Sequence, residues 1–234
     1  MTLNQLASEI AHSVQQADSV PVKRAIKLSI LHSRNQLIRH SYTNHSYIDR
    51  GLQQRFRCEL VDVSDGDLNG VDTGIKIKRT KNKVPKPVRL TNNLPFSAVR
   101  TIGVNNPIEI AFVRTASSKY YASLPGFSPC VTYDYLNDYI YIDTTKSDKL
   151  KKIKSIEIEA PFEYPNLIQD VNGIDLDSID YSTAATMDAL IDGEDNEFLI
   201  PEDMINDIKK LVLETFNAQI IRQTNEVSSQ LKAE

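Results

Sequence analysis

The stretch VTYDYLNDYIYID, residues 131–143, carries the clearest β-hairpin pattern in the chain. Two residues with a strong turn preference, Asn137 and Asp138, divide it into halves in which tyrosines alternate with other residues. These tyrosines are Tyr133, Tyr135, Tyr139 and Tyr141. Similar strand patterns occur around residues 53–63, 74–79 and 153–158. The sequence therefore predicts a β-rich unit over residues 53–160.

The two ends of the chain show helical spacing instead. Over the first 45 residues, apolar residues recur every three or four positions in two segments that Asp18 and Ser19 separate. Near the C-terminus, Pro201 suits the first turn of a helix, and an amphipathic pattern follows it. We expect these terminal helices to pack together, with the β-rich unit inserted between them.

These patterns divide the chain into four parts. They are an N-terminal helical part (1–52), the β-rich insert with a basic loop at 76–90 (53–160), an acidic irregular segment (161–200) and a C-terminal helix that packs with the N-terminal helices (201–234). The predicted fold class is α+β. It consists of a helical bundle from the N-terminal helices and a C-terminal helix, with an inserted β-rich unit and long extended loops.

The charged residues are strongly segregated along the sequence. Residues 155–207 contain fifteen Asp and Glu and no Lys or Arg, whereas residues 76–100 contain eight Lys and Arg and no acid. The formal net charge of −4 therefore conceals two segments of opposite sign. One such segment alone is often just a solvated surface. The pair favours contact between copies of the chain, or with other charged partners, over a catalytic cleft.

The basic segment KIKRTKNKVPKPVRL, residues 76–90, contains two prolines and few apolar residues. We expect a long projecting loop or extended arm. Its cations are Lys76, Lys78, Arg79, Lys81, Lys83, Lys86 and Arg89. They could neutralise nucleic-acid phosphates without sequence preference, but the segment has no aromatic residue for base stacking. Docking onto an acidic protein surface is the stronger hypothesis.

The interface hypothesis pairs this basic segment with acids between residues 170 and 203. The acids chosen are Asp192, Glu194, Asp195 and Glu197. The four tyrosines of the 131–143 hairpin complete the predicted contact surface, because tyrosines on half-exposed sheet faces suit protein contacts.

The sequence predicts no metal site, no cofactor and no catalytic residues. The first half of a calcium-binding loop is imitated by Asp65, Asp67, Asn69 and Gly70. However, the position that should hold a bidentate glutamate is Lys76, so a hairpin loop explains these residues better. Cys58, Cys130 and the four histidines lack the spacing of a zinc site. A hydrolase or metal protein is therefore only the third hypothesis.

The beginning of the chain does not read as a targeting signal. The segment MTLNQLASEIAHSV has neither the basic region nor the apolar region of a signal peptide. The longest apolar run is too short to span a membrane. We expect a soluble protein made inside the cell.

The segment EFLIPEDMINDIKKLVLETF, residues 197–216, resembles a short pattern in virion proteins of crAss-like and related short-tailed phages of Bacteroidetes. In those proteins an acidic and aromatic stretch leads into I-P-x-x-[ML]-I and an amphipathic helix. The rest of the chain is similar in layout, with two N-terminal helices, a β-rich middle and a strand pair like that of residues 131–143. The resemblance implies a ring or stabilisation protein, similar in role to the head-to-tail adaptors that form a ring below the portal.

The resemblance also implies partners and a place in the virion. It implies a homo-oligomeric ring, dodecameric by resemblance, that contacts the portal and other tail or ring proteins at the portal–tail junction. DNA would pass through the ring without sequence-specific binding. No catalytic residues are carried over, so the predicted function is a structural connector and not an enzyme, made in the host cytoplasm. The alternative is a nucleic-acid-associated virion or accessory protein that uses residues 76–90.

Overall fold

The computed structural model describes residues 1–45, 47–63, 77–90, 94–102, 107–113, 131–144, 151–169 and 198–230. The chain divides into two compact units. One comprises Met1–Leu52 with Ala184–Glu234, and the other comprises Gln53–Thr183. We call them the helical unit and the sheet unit.

The described elements are distributed over both units. The helices are α1 (Leu3–Ser13), α2 (Val20–His45), the single-turn α3 (Asn166–Gln169) and α4 (Glu202–Gln230), and a 3-10 turn lies at Arg50–Leu52. The strands are β1 (Gln54–Asp62), β2 (Ile77–Thr80), β3 (Ala98–Thr101), β4 (Ala111–Phe112), β5 (Thr132–Leu136), β6 (Tyr139–Asp143) and β7 (Ser155–Ala160).

The helical unit is built from α1, α2 and α4. Thr2 caps α1, because its hydroxyl accepts from the Gln5 N–H at 3.1 Å while the Gln5 side chain accepts from the Thr2 N–H at 3.0 Å. The buried apolar residues of α2, which packs against α1 and α4, are Ile26, Ile30, Leu31 and Ile38. Ile208 and Val212 of α4 are also buried. These helices confirm the amphipathic patterns at the two ends of the sequence.

The sheet unit contains a seven-stranded mixed sheet in the order β3-β7-β1-β2-β6-β5-β4. Neighbouring strands are antiparallel except β4 and β5, which are parallel. The segment before β4 returns to β3. The Thr101 N–H donates to the Ile108 carbonyl at 3.0 Å, and the Ile110 N–H donates to the Val99 carbonyl at 2.8 Å. Because these bonds join the two ends of the strand order, the sheet is nearly closed.

An apolar core fills the inner side of this sheet. Along β7, Ile156, Ile158 and Ala160 face the core, and the residues between them face outward. Other strands and loops contribute Phe96, Val99, Tyr133, Ile140, Ile142 and Phe162. The alternation explains why β7 reads as Ser-Ile-Glu-Ile-Glu-Ala, since one face is packed and the other carries charge.

The β5–β6 hairpin has the predicted two-residue turn. The φ angle is 52° at Asn137 and 66° at Asp138, so both residues are in the left-handed region. Two successive left-handed residues are typical of the type I′ turn, whose twist matches that of the flanking strands. Asn and Asp adopt this conformation more readily than most other non-glycine residues.

The predicted fold class is wrong. It placed a β-rich insert on a helical bundle, whereas the described residues contain three helices of more than one turn and a seven-stranded, nearly closed mixed sheet. The sheet was underestimated because its pairs join distant parts of the sequence, as where Arg57 of β1 lies opposite Glu157 of β7. A helical stripe can be recognised within a dozen residues, but no single short window of sequence contains both strands of a pair so far apart.

The long extended loop expected at residues 76–90 is also absent from its described part, 77–90. After β2, residues 81–90 lie against the sheet core, and we call them the basic strap. The strap residues Val84, Val88 and Leu90 are buried, and the Val88 N–H donates to the Pro161 carbonyl at 2.8 Å. The few apolar residues of the segment suffice to cover the core, because each is separated from the next by only a few positions and the charged ends of the lysines can reach solvent.

Candidate interaction surfaces

The outer face of strands β3, β7 and β1 carries alternating arginines and glutamates. The strand register places Arg57 and Arg100 on either side of Glu157, and it places Arg55 beside Glu159. All five residues belong to the outward-facing set of their strands. We call these five residues the arginine face.

Ion pairs order the arginine face. Arg57 Nε lies 3.2 Å from Glu157 Oε2, and Arg55 Nε lies 3.5 Å from Glu159 Oε2. Arg100 Nη2 lies 2.6 Å from the same Glu159 oxygen. The glutamate side chains are only 13% and 18% exposed, whereas Arg55 and Arg57 are 66% and 71% exposed. The carboxylates therefore lie beneath the guanidinium groups, and solvent meets mainly positive charge.

Folding thus brings together part of the charge that the sequence separates. The two glutamates belong to the acidic stretch at residues 155–207, and their partners come from β1 and β3. Sequence analysis missed Arg55 and Arg57 because they lie outside the basic segment. The complementary alternations Arg-Phe-Arg in β1 and Glu-Ile-Glu in β7 were the available signal, since opposite charges on paired strands attract each other.

The cations of the interface hypothesis lie on β2 and the basic strap, where several already contact other groups. Lys78 Nζ is 2.9 Å from Asp62 Oδ1, and Lys81 Nζ is 3.2 Å from Glu59 Oε2. Lys83 and Lys86 are half-buried and interact with neighbouring groups, and Arg89 is exposed. These residues belong to a folded part of the sheet unit and not to a free arm, and the Lys78 side chain is only 12% exposed.

The two-residue turn places the four hairpin tyrosines on opposite faces of the sheet. Tyr133 and Tyr135 face the core, and Tyr133 is only 3% exposed. Tyr139 and Tyr141 belong to the outward-facing set of β6, where the Arg79 guanidinium lies 4.7 Å from the centroid of the Tyr139 ring. A partner on the outer face would therefore meet Tyr139 and Tyr141.

Burial changes the titration of several side chains in the sheet unit. It raises the pKa of Tyr133, to which the negative charge of Glu109 adds. It also raises the pKa of Tyr135, whose hydroxyl donates to Asp138 Oδ1 at 3.0 Å. The same desolvation raises the pKa of the Cys58 thiol, which makes this cysteine a poor nucleophile. The geometry gives these groups a role in packing.

A groove in the helical unit lies between the end of α2 and the start of α4, with a volume of about 620 Å³. Its described lining includes apolar residues such as Ile48 and Met204, and it contains no Lys or Arg. The acids Asp49, Asp203 and Asp207 also line it. Asp203 is the last residue of the acidic range in the interface hypothesis, and it lies in the part of the chain that the structure describes.

A buried arginine fastens the segment that leads into α4. Arg34 of α2 is fully buried, and its Nε donates to the Leu199 carbonyl at 3.0 Å while its Nη1 donates to Asn35 Oδ1 at 3.1 Å. Burial lowers the pKa of Arg34 to about 10, because the charged form is poorly solvated there. The side chain remains protonated near neutral pH and acts as a structural donor.

Some predicted residues lie outside the described part of the chain. They are Lys76, Asp192, Glu194, Asp195 and Glu197 of the interface hypothesis, the calcium-like residues Asp65, Asp67, Asn69 and Gly70, and Cys130. Within the described ranges, no three His, Cys, Asp or Glu side chains gather as a metal site requires. None of the helices in those ranges combines the length and the apolar character needed to cross a membrane.

Comparison with known proteins shows which family the chain belongs to. Among curated proteins, none matches the chain at a significant level. The sequence model of the family described as phage tail ring protein 2, of the crAss-like phages, matches residues 5–232. This family groups structural virion components and is not an enzyme family. Because the match covers nearly the whole chain, the chain belongs to the tail ring protein 2 family of crAss-like phages.

Proposed function

We propose that this chain is a portal-associated head-to-tail connector subunit that assembles into a ring and joins the capsid portal to the tail. The observation that carries the proposal is the match to a tail ring family over residues 5–232. The surfaces support it, because their chemistry suits contact between proteins. They comprise the arginine face, the outward-facing Tyr139 beside Arg79, and the groove of the helical unit that aspartates help to line. The role is structural and non-catalytic.

A ring built from one kind of chain needs two different, complementary surfaces on each copy. We propose that the cations on β2 and the basic strap, with Tyr139 and Tyr141, form one of them. The acids between residues 170 and 203, including Asp192, form the other. A dodecamer through which DNA passes, with portal and tail proteins at its two rims, is the arrangement that fits the function proposed here.

Mass photometry of the purified chain, alone and with a candidate portal ring, tests this function. We expect capture into a closed multimer at about 0.05 M salt and weaker capture at about 0.5 M salt, because surface charges are screened over a shorter distance at the higher concentration. A stable monomer that ignores the portal at both concentrations would contradict the proposal.

The nucleic-acid alternative has weaker support. Lys78 and Lys81 of the basic segment are ion-paired to carboxylates within the sheet unit, and Arg79 is stacked on Tyr139. These cations are therefore held against protein groups, and the segment has no aromatic residue on which a base could stack. Salt-sensitive retention of duplex DNA by the isolated chain, without any ring formation, would favour the alternative over the connector.

A further inference from the structure

We propose that the arginine face binds the acidic segment at residues 170–197 of a second copy of this chain. The inference rests on the proposed function, which brings copies side by side. It assigns a partner to Arg55 and Arg57, which the interface hypothesis did not contain. The sheet face would then be one of the contacts between neighbouring subunits.

Arg55 and Arg57 lie close together on the exposed face of β1. Residues two apart on a strand share a face and are separated by about 6.6–6.8 Å, so Arg55 and Arg57 form a short row on β1. Their ion pairs engage Nε, and their side chains remain 66% and 71% exposed. The underlying glutamates hold the guanidinium groups in place. This lowers the conformational entropy that the arginine side chains lose when a partner binds.

The charges around the row leave it attractive to anions. Glu157 and Glu159 are mostly covered, and three arginines surround them. The exposed Glu109 lies opposite Arg100, on the side of β3 away from β1, and so does not border the Arg55–Arg57 row. Glu59, the next outward-facing residue of β1, is exposed, but Lys81 Nζ lies 3.2 Å from its carboxylate. A planar guanidinium that already donates to one carboxylate can still donate to a second, because it carries five N–H donors in a fixed fork.

The segment at residues 170–197 has the complementary chemistry. It contains acids and no Lys or Arg, and some of its acids are two positions apart, as in Asp175 with Asp177 and Asp192 with Glu194. Nucleic acid suits the face less well. The outward-facing described residues of β1, β7 and β3 include no aromatic side chain on which a base could stack.

The test is a titration of a fluorescent peptide covering residues 170–197 with the full-length chain at low salt, followed by anisotropy. We expect saturable binding that the double variant Arg55→Gln, Arg57→Gln weakens by at least about tenfold, or about 1.4 kcal/mol, because it removes two sets of charge-assisted hydrogen bonds. The matched control, Lys151→Gln with Lys152→Gln, removes the same charge from another exposed site of the sheet unit. We expect the control to change the affinity by less than about twofold.

Further variants separate binding that depends on the guanidinium fork from attraction that depends on charge alone. The pair Arg55→Lys, Arg57→Lys keeps the charge but loses the fork, so its affinity should fall between wild type and the glutamine pair. This pair also keeps the test decisive if circular dichroism shows that the glutamine variant does not fold. The inference is overturned by the absence of saturable binding, by equal losses in the control pair, or by equal binding of a peptide whose acids are replaced with Asn and Gln. Duplex DNA that displaces the peptide at lower concentration overturns it as well.

The result is distinguishable from that of the proposed function. If the peptide binds as expected but no ring forms with or without portal, the connector function fails and the binding of the acidic segment to the arginine face stands. If rings form equally well with wild type and with the glutamine variant, the proposed contact at the arginine face fails and the connector function stands.

Discussion

At the scale of single residues, Arg34 shows how a charged side chain can hold a fold together. Its side chain is fully buried, which is costly for a cation unless hydrogen bonds compensate for lost hydration. The bond to the Leu199 carbonyl ties α2 to the segment that enters α4. The packing of the helical unit therefore depends on an interaction whose two partners lie 165 positions apart in the sequence.

We predict that Arg34→Ala lowers the free energy of unfolding by about 2–4 kcal/mol, because it leaves a cavity and removes the donor to Leu199. Urea denaturation measures the loss. The variant Arg34→Lys keeps a charge but not the fork and should be intermediate. An Arg34→Ala protein as stable as wild type would show that the hydrogen bond contributes little.

Two tyrosines that face the sheet core make the stability of the fold depend on pH in the alkaline range. Burial raises the pKa of Tyr133 and Tyr135 in the folded state above the ordinary value of 10. The unfolded chain therefore releases these protons first. The stabilisation is complete below about pH 10 and is lost as the pH rises toward the folded pKa values. The urea concentration at the unfolding midpoint should decrease as the pH is raised from about 8 to about 11. The decrease should be smaller in the double variant Tyr133→Phe, Tyr135→Phe. Parallel pH profiles for wild type and variant would contradict this assignment.

At the scale of elements, the β5–β6 hairpin depends on its turn. Its register brings Tyr135 and Ile140 together on the inner face and leaves Tyr139 on the outer face. A change of one residue in the turn length would exchange these faces. The basic strap adds to the same region, since the Val84 N–H donates to the Asp138 carbonyl at 2.7 Å.

We predict that Asn137→Val destabilises the protein by about 1–2 kcal/mol, because a β-branched residue is disfavoured at a φ of 52°. Asn137→Gly is the matched control and should be neutral or slightly stabilising, since glycine adopts this conformation without strain. Thermal denaturation of both variants is the measurement. Equal melting temperatures would mean that the turn conformation does not limit stability.

At the scale of the whole molecule, the distribution of charge links the fold to assembly. Folding covers part of the acidic stretch with the arginines of β1 and β3. The cations of β2 and the basic strap lie beside this face, where the exposed Lys81 contacts Glu59 of β1. If they contact neighbouring copies, reversing their charge should weaken assembly with little effect on the fold.

We predict that Lys81→Glu with Lys83→Glu reduces ring formation when the variant is mixed with wild type, because like charges then face each other across the contact. The Lys81–Glu59 pair is exposed, so its loss should cost less than about 1 kcal/mol of fold stability. Because Lys83 is half-buried, urea denaturation of the variant checks that its fold is intact. Lys151→Glu with Lys152→Glu is the control of equal charge. Analytical ultracentrifugation measures the assemblies, and unchanged rings in the first mixture would exclude these lysines from the contact.

Sequence patterns alone predict the local elements of this protein: the terminal helices, strands at or near β1, β2, β5, β6 and β7, and the Asn137–Asp138 turn. These follow from periodicity and turn preference, which act between residues close in the chain. The folded structure was needed to establish the strand order, the near closure of the sheet and the pairing of Arg57 with Glu157. It also decided that the strap packs against the core, contrary to its charged composition. Contacts between residues far apart in sequence depend on which apolar faces can be buried together, and no short window of sequence contains that information.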